Sequence, residues 1–214
     1  MTVLSRRAFG TAATAAAAAL LVGCSSDGEG VRTTGTAHPG TTPPPSASSS
    51  TNTSAKSVRA VGRSAPVRLR IPAIGVDTPV MRLGLAPDRT VQVPPVTDHD
   101  QAGWYEQSAT PGQTGPSVIL GHVTVGSYGD GVFHDLGRLR RGEKIVARLE
   151  NGTETEFTVT SLRTVAKADF PADDVYGNVD RPELRLITCG GPRDENGYLD
   201  NVIVFAALTS STSP

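Results

Sequence analysis

Short runs of β-branched and aliphatic residues, cut by turn residues, recur through the last 150 positions and limit what this chain can fold into. The segment Glu154-Thr155-Glu156-Phe157-Thr158-Val159-Thr160 alternates polar and apolar residues with period two. That is the pattern of a strand with one buried face, and it cannot give a helix an apolar stripe. Leu184-Arg185-Leu186-Ile187-Thr188 and Val202-Ile203-Val204-Phe205-Ala206 are denser versions of the same signal. Between two such runs stands Asn151-Gly152, a pair that tolerates the positive φ of a tight hairpin. Strands are predicted over 67–71, 78–83, 91–93, 117–121, 144–149, 156–162, 183–188 and 202–208. Helical spacing is confined to 131–139, around Val132, Phe133, Leu136 and Leu139, and to 168–176. Eight short strands with minor helices predict an all-β barrel or sandwich. The barrel is favoured because closure hides every strand edge.

The front of the chain has a different character. Residues 1–23 carry Arg6 and Arg7, then an Ala- and Leu-rich stretch ending in small residues, which describes a secretory signal. Ser5-Arg6-Arg7 with Phe9 resembles a twin-arginine signal. Leu21-Val22-Gly23-Cys24 resembles a bacterial lipobox, in which Cys24 takes the lipid and becomes the first residue. Both features predict a protein outside the cytoplasm, held to the membrane by acyl chains. From 24 to 64 follows a tether: Thr41 to Ser54 holds nine Ser/Thr and three Pro in fourteen residues. Such a stretch cannot bury enough surface to offset its ordering entropy. As flexible chain, its roughly 40 residues span on the order of 35 Å. The domain proper is expected at 65–214, since every aromatic residue except Phe9 lies between Trp104 and Phe205.

Charge and cysteine count exclude several classes. With 20 basic against 21 acidic residues, the chain lacks the excess positive charge typical of a nucleic-acid binder. Loss of residues 1–23 removes two of those basic residues and no acid, so surface charge would not hold the rest to anionic lipid. Two cysteines make neither a disulfide framework nor a four-cysteine zinc site. No P-loop, dinucleotide fingerprint or calcium loop is present, so no cofactor and no metal is expected. His134 and His99, the latter between two aspartates, read as polar surface residues.

The chemistry-bearing candidates are Cys189 and His122. A lone cysteine is ordinarily a small buried hydrophobe. Cys189, however, follows a strand and opens a Gly190-Gly191-Pro192 loop, where a side chain reaches solvent and a substrate backbone can come close. His122 also sits at a strand end, after Gly121. A cysteine nucleophile needs a base that is distant in sequence and adjacent in space, and this pair has that form.

Gly121-His122, Leu186-Ile187-Thr188-Cys189 and the final strand Val202–Ala206 resemble the signature of sortases. The likeness spans most of 67–208. It takes in Arg70-Ile71-Pro72-Ala73-Ile74-Gly75-Val76, Gly103-Trp104-Tyr105, Pro111-Gly112, Gly131-Val132-Phe133-His134-Asp135-Leu136 and Lys167-Ala168-Asp169-Phe170-Pro171. Cys189-Gly190-Gly191-Pro192 and Asp200-Asn201-Val202 resemble the actinobacterial class F group. The resemblance implies a closed eight-stranded β-barrel and a cysteine transpeptidase. Its substrate would be a sorting motif similar to Leu-Pro-x-Thr-Gly and its acceptor a cell-wall amine. Cys189 would be the nucleophile and His122 the acid and base.

The resemblance also implies an arginine before the last strand, to hold the substrate and the developing oxyanion. That position falls on Asn201, beside Leu199 and Asp200, and the loop's only arginine is Arg193. Either Arg193 or Asn201 would fill the role, or the chain is a non-catalytic, sortase-like module that binds peptide or wall. A lipid anchor departs from the family's usual N-terminal helix.

Overall fold

The computed structural model describes residues 61–195 and 197–214, which fall within one unit running from Asn52 to Pro214. The predicted signal, Cys24 and the tether as far as residue 60 lie outside the described residues. Among the described residues ten strands form: β1 Pro66–Ile71, β2 Val76–Leu83, β3 Ala102–Tyr105, β4 Gly115–Leu120, β5 Thr124–Val125, β6 Gly129–Asp130, β7 Lys144–Leu149, β8 Glu154–Ala166, β9 Pro182–Asp194 and β10 Gly197–Thr212. One α-helix, α1 Ala172–Tyr176, lies between β8 and β9.

Eight strands close into a barrel in the order β1-β2-β3-β4-β9-β10-β8-β7, as expected for the fold class. The pairs β2–β3 and β4–β9 are parallel, and the other barrel pairs are antiparallel. The interior is packed by Leu69, Ile71, Ile119, Ile145, Phe157, Leu184, Leu186 and Val204, all fully buried. Each such side chain contributes about 1.5–3 kcal/mol relative to exposure. Period two is visible along β7 and the first half of β8, where every second residue is buried. Along β9, Leu184 to Thr188 is buried without interruption, because a second apolar layer covers the outer face. That layer joins Val118, Ile187, Ile203 and Phe205 to Val175 of α1.

Four local expectations change. Residues 91–93 form no strand: Val91 makes one isolated bridge to Leu85, and Pro94 and Pro95, which lack N–H donors, stop any ladder. The eighth barrel strand is instead β3, whose four residues show no readable alternation. Gly103 sits there because a Cβ would meet Leu83 Cδ1 at 2.3 Å. The predicted helix at 131–139 is reduced to a 3₁₀ turn, Leu136–Arg138. Its buried residues Phe133, Leu136 and Leu139 recur every three positions, which matches three residues per turn rather than 3.6. The helix predicted at 168–176 splits into a 3₁₀ turn, Lys167–Asp169, and α1. The Asn151-Gly152 hairpin forms as predicted, with Gly152 at φ 82° and the Leu149 N–H bonded to the Thr153 carbonyl at 2.8 Å.

One buried ion cluster ties β9 to α1. Arg185, 3% exposed, places Nη2 2.6 Å from Glu183, donates Nε–H to the Asp174 carbonyl at 3.2 Å and lies 4.6 Å over the Phe205 ring. Burial pushes the Glu183 carboxyl up, but hydrogen bonds from Arg181 and Arg185 outweigh it and hold the group below its ordinary 4.5. A depressed carboxylate stabilises the fold above its unfolded pKa, and the contribution is lost as pH falls through the folded value. Glu183→Gln is therefore expected to be less stable than wild type at pH 7, with the gap closing over the window from neutral pH down through the lowered carboxyl value. Urea midpoints at both ends of that window check it, and a gap independent of pH would refute it.

Candidate active site

Strand register brings the two candidate residues together from positions 67 apart in sequence. In the parallel β4–β9 pair, Val118 is opposite Arg185 and Leu120 opposite Ile187. The Gly121 N–H then donates to the Ile187 carbonyl at 3.1 Å, carrying the pairing past the end of β4. His122 and Cys189 each lie two residues beyond the last pair, Leu120 and Ile187, at the same end of the two neighbouring strands. Side-chain parity agrees. Val118 and Leu120 on β4 and Ile187 on β9 all face the outer apolar layer, and residues two further along share that face. Both Cys189 and His122 are half-buried. The site is thus an open rim where the outer layer ends.

On the other side of β9, Asn201 of β10 is directly opposite Cys189. Ile203 and Phe205 fix the outer face of β10, and Asn201 shares their parity. Cys189 and Asn201 are therefore paired across β9 and β10, and His122 follows the end of β4 on the other side of β9. Arg193 is elsewhere. It lies exposed in the β9–β10 hairpin opposite Tyr198, its guanidinium 5.3 Å from the Tyr198 ring centre. Of the two sequence candidates for the arginine role, the fold sets Asn201 beside Cys189 and Arg193 on the hairpin.

The backbone around the site is held closely. The His122 carbonyl accepts from the Phe133 N–H at 2.9 Å, and the Val123 carbonyl from the Gly131 N–H at 2.9 Å. Gly131 fits only without a side chain, since a Cβ there would lie 2.4 Å from the His122 carbonyl oxygen. His122 Nε2 is 2.7 Å from the Pro94 carbonyl oxygen, in the long connection between β2 and β3. Next to Cys189, Gly191 takes φ 73°, and a Cβ there would meet the Asp200 carboxylate at 2.0 Å. This explains Gly191: contrary to the expected loop, β9 continues through Gly190-Gly191-Pro192, bulges there against β10 and lets Asp200 close against it. Beyond the hairpin, the Tyr198 and Thr124 hydroxyls are 2.8 Å apart, which links β10 to the segment after His122.

Pro94, Tyr198 and Thr124 were not singled out by sequence reasoning. The consecutive prolines 94 and 95 were the available signal for the first, and the two hydroxyls carried none. His134 is 3.1 Å from Asp130 and His99 stacks on Tyr128 at 5.3 Å. Glu150, Glu154 and Glu156 pair with Arg82, Arg70 and Lys144, as a solvated hairpin face does. Among the described residues, no three His, Cys, Asp or Glu side chains group to hold a metal ion. A cleft of about 830 Å³ lies at the far end of β4, lined by Tyr105, Gly115, Phe170 and Tyr176, and touches neither Cys189 nor His122.

Comparison with known proteins gives the same fold. The sortase domain family model matches residues 69–209. Sortase A of Listeria monocytogenes superposes with a TM-score of 0.52 at 17% identity, over 70% of this chain and 91% of that one. The SrtA sortase of Actinomyces oris gives 0.51 at 22% identity, over 71% and 83%. Sortase C-1 of the same organism gives 0.52 at 22%, over 67% and 74%. No curated protein matches the chain.

Proposed function

This chain belongs to the sortase family of cysteine transpeptidases, and from that premise we propose that Cys189 and His122 carry out a two-step acyl transfer on a sorting motif similar to Leu-Pro-x-Thr-Gly. The observation that carries the reading is that half-buried Cys189 on β9 is paired with Asn201 of β10 and that His122 follows the end of β4, the strand on the other side of β9. The Cys189 thiolate attacks the threonine carbonyl carbon, the bond to the glycine nitrogen breaks, and His122 gives its proton to the leaving amine. An acceptor amine of the cell wall then attacks the thioester. His122 takes the amine's proton as the Cys189 thiolate leaves. A protonated imidazole beside the sulfur also favours the thiolate form.

Asn201 is the neutral donor nearest the reacting sulfur in register, so the proposal gives it the oxyanion. The preceding segment, with Cys24 carrying lipid, would hold the domain at the outer face of the cell membrane, within reach of wall substrates. The Gly-Gly-Pro run after Cys189 supports placement near the class F group.

The test is the intact mass of the full chain after incubation with Leu-Pro-x-Thr-Gly peptides, with and without an added amine. A thioester adduct on Cys189, discharged by the amine, is the expected result. A thiol that alkylates readily yet takes no acyl group would refute transpeptidation. That outcome would favour a module that only binds peptide, the reading that the neutral Asn201 opposite Cys189 also suits.

A further inference from the structure

The hydrogen bond on His122 carries an inference about the same site, and it rests on the transpeptidase reading. A carbonyl oxygen has no proton to give, so the 2.7 Å contact with Pro94 requires that His122 Nε2 carry the hydrogen and donate it. We infer that the Pro94 carbonyl is a positioning group for catalysis: it fixes His122 as the Nε2–H tautomer and leaves Nδ1 as the nitrogen that exchanges protons with the thiol and the amines. In a neutral imidazole one nitrogen donates and the other accepts, and a partner on one decides the role of the other. When His122 takes up a proton, the same bond becomes charge-assisted and shortens, so it also steadies the imidazolium between the two acyl-transfer steps.

The chain is built to aim that carbonyl. Its direction depends on φ and ψ of residue 94. Proline fixes its own φ near −65°. A following proline excludes the helical region and sets ψ at roughly +120 to +160°. Pro95 itself sits at φ −56° and ψ 146°, so the backbone stays extended past the contact. Pro94 is buried while Val93, Pro95 and Val96 on either side are exposed, Val93 at 59% and Val96 at 54%. The buried residue in an exposed strap is thus the one that meets the histidine.

Both ends of the strap are tied down. Upstream, Gln92 exchanges two hydrogen bonds with Gly84, each 3.0 Å. Downstream, the His99 carbonyl accepts from the Val132 N–H at 2.8 Å, on the segment that also bonds the His122 backbone. A side chain cannot be removed to break a carbonyl contact, so the strap's stiffness is the handle for a test.

The experiment compares wild type, P94G/P95G and P94A in the full chain. Glycines at both positions free φ and ψ and let the carbonyl turn away, whereas Pro94→Ala retains Pro95 and with it the restriction on ψ. For P94G/P95G, kcat is expected to fall about 10- to 100-fold, inside the range that a positioned acid–base group supplies. KM for the peptide should move less than about twofold, since the strap's role is in proton transfer. P94A should stay within about threefold of wild type. The imidazole ¹⁵N spectrum, assigned with His122→Asn, should show the Nε2–H tautomer in wild type and P94A and a mixture in P94G/P95G.

A wild-type ring protonated at Nδ1, or a P94G/P95G variant with undiminished or raised kcat, overturns the inference. The spectrum needs no substrate, so the two readings fail separately. An Nε2–H ring in a chain that forms no adduct refutes the transpeptidase alone. Rapid turnover by P94G/P95G refutes the positioning role alone.

Discussion

Cys189→Ala is expected to form no acyl-enzyme and His122→Ala to lower kcat by about 10²- to 10⁴-fold, with both variants keeping wild-type thermal midpoints. The stability half of this expectation follows from where the residues sit. Each is half-buried at the rim where β4 and β9 outrun the outer apolar layer, so truncation opens no closed cavity. The catalytic half follows from the proposed roles: His122 and Cys189 lie two residues past the last β4–β9 pair, and acyl transfer by this route needs both. Removal of the thiol removes the only atom that can form the thioester. Loss of the imidazole leaves a thiol that must ionise unaided and an amine that must leave without a proton. Alkylation rates of the His122→Ala thiol and single-turnover rates with peptide separate these two effects. Wild-type transfer rates in either variant would remove the pair from the mechanism.

Gly131→Ala is expected to lower kcat by more than about 10²-fold and to destabilise the domain by ~1–3 kcal/mol. The added methyl would lie 2.4 Å from the His122 carbonyl oxygen, 2.5 Å from its carbon and 2.7 Å from its Cβ. Two of those three atoms are backbone and cannot rotate away. The neighbouring segment also accepts no easy shift, because the Gly131 N–H and Phe133 N–H bond the carbonyls of Val123 and His122 while Phe133 is fully buried. Relief of the strain requires the His122 backbone to shift from its place. Gly137→Ala is the control: a Cβ there meets nothing within 4 Å, and the variant should stay within about 0.5 kcal/mol of wild type with full activity. A Gly131→Ala protein with wild-type rate and midpoint would show that His122 tolerates the displacement.

The barrel was legible because its strands announce themselves individually. β7, β8, β9 and β10 carry period-two or continuous apolar patterns and a hairpin pair between the first two. The strand that sequence reasoning misplaced, 91–93 in place of β3, exposes the limit of that signal. Val91-Gln92-Val93 alternates well, yet two prolines deny it a ladder. Ala102-Gly103-Trp104-Tyr105 does not alternate, yet β2 and β4 hold it from both sides. Similarly, Phe133, Leu136 and Leu139 look helical at low resolution of pattern, but their spacing of three suits a 3₁₀ turn, and Gly131 and Gly137 weaken anything longer.

By itself the sequence determined residue chemistry and local form: a thiol before two glycines, a histidine just past a strand, and the periodicity of most strands; the expected strand end at Cys189 is not one, since β9 runs on to Asp194. These are set by composition and by contacts between near neighbours, which the order of residues encodes directly. Tertiary structure alone decided that Asn201 and not Arg193 stands beside Cys189, because β9 runs on four residues from Cys189 to Arg193 and pairs the latter with Tyr198. It alone brought the Pro94 carbonyl to His122, across 28 positions that include β3 and β4. Backbone carbonyls are the same in every residue, so which one meets the histidine is written in the path of the chain and not in the identity of a side chain.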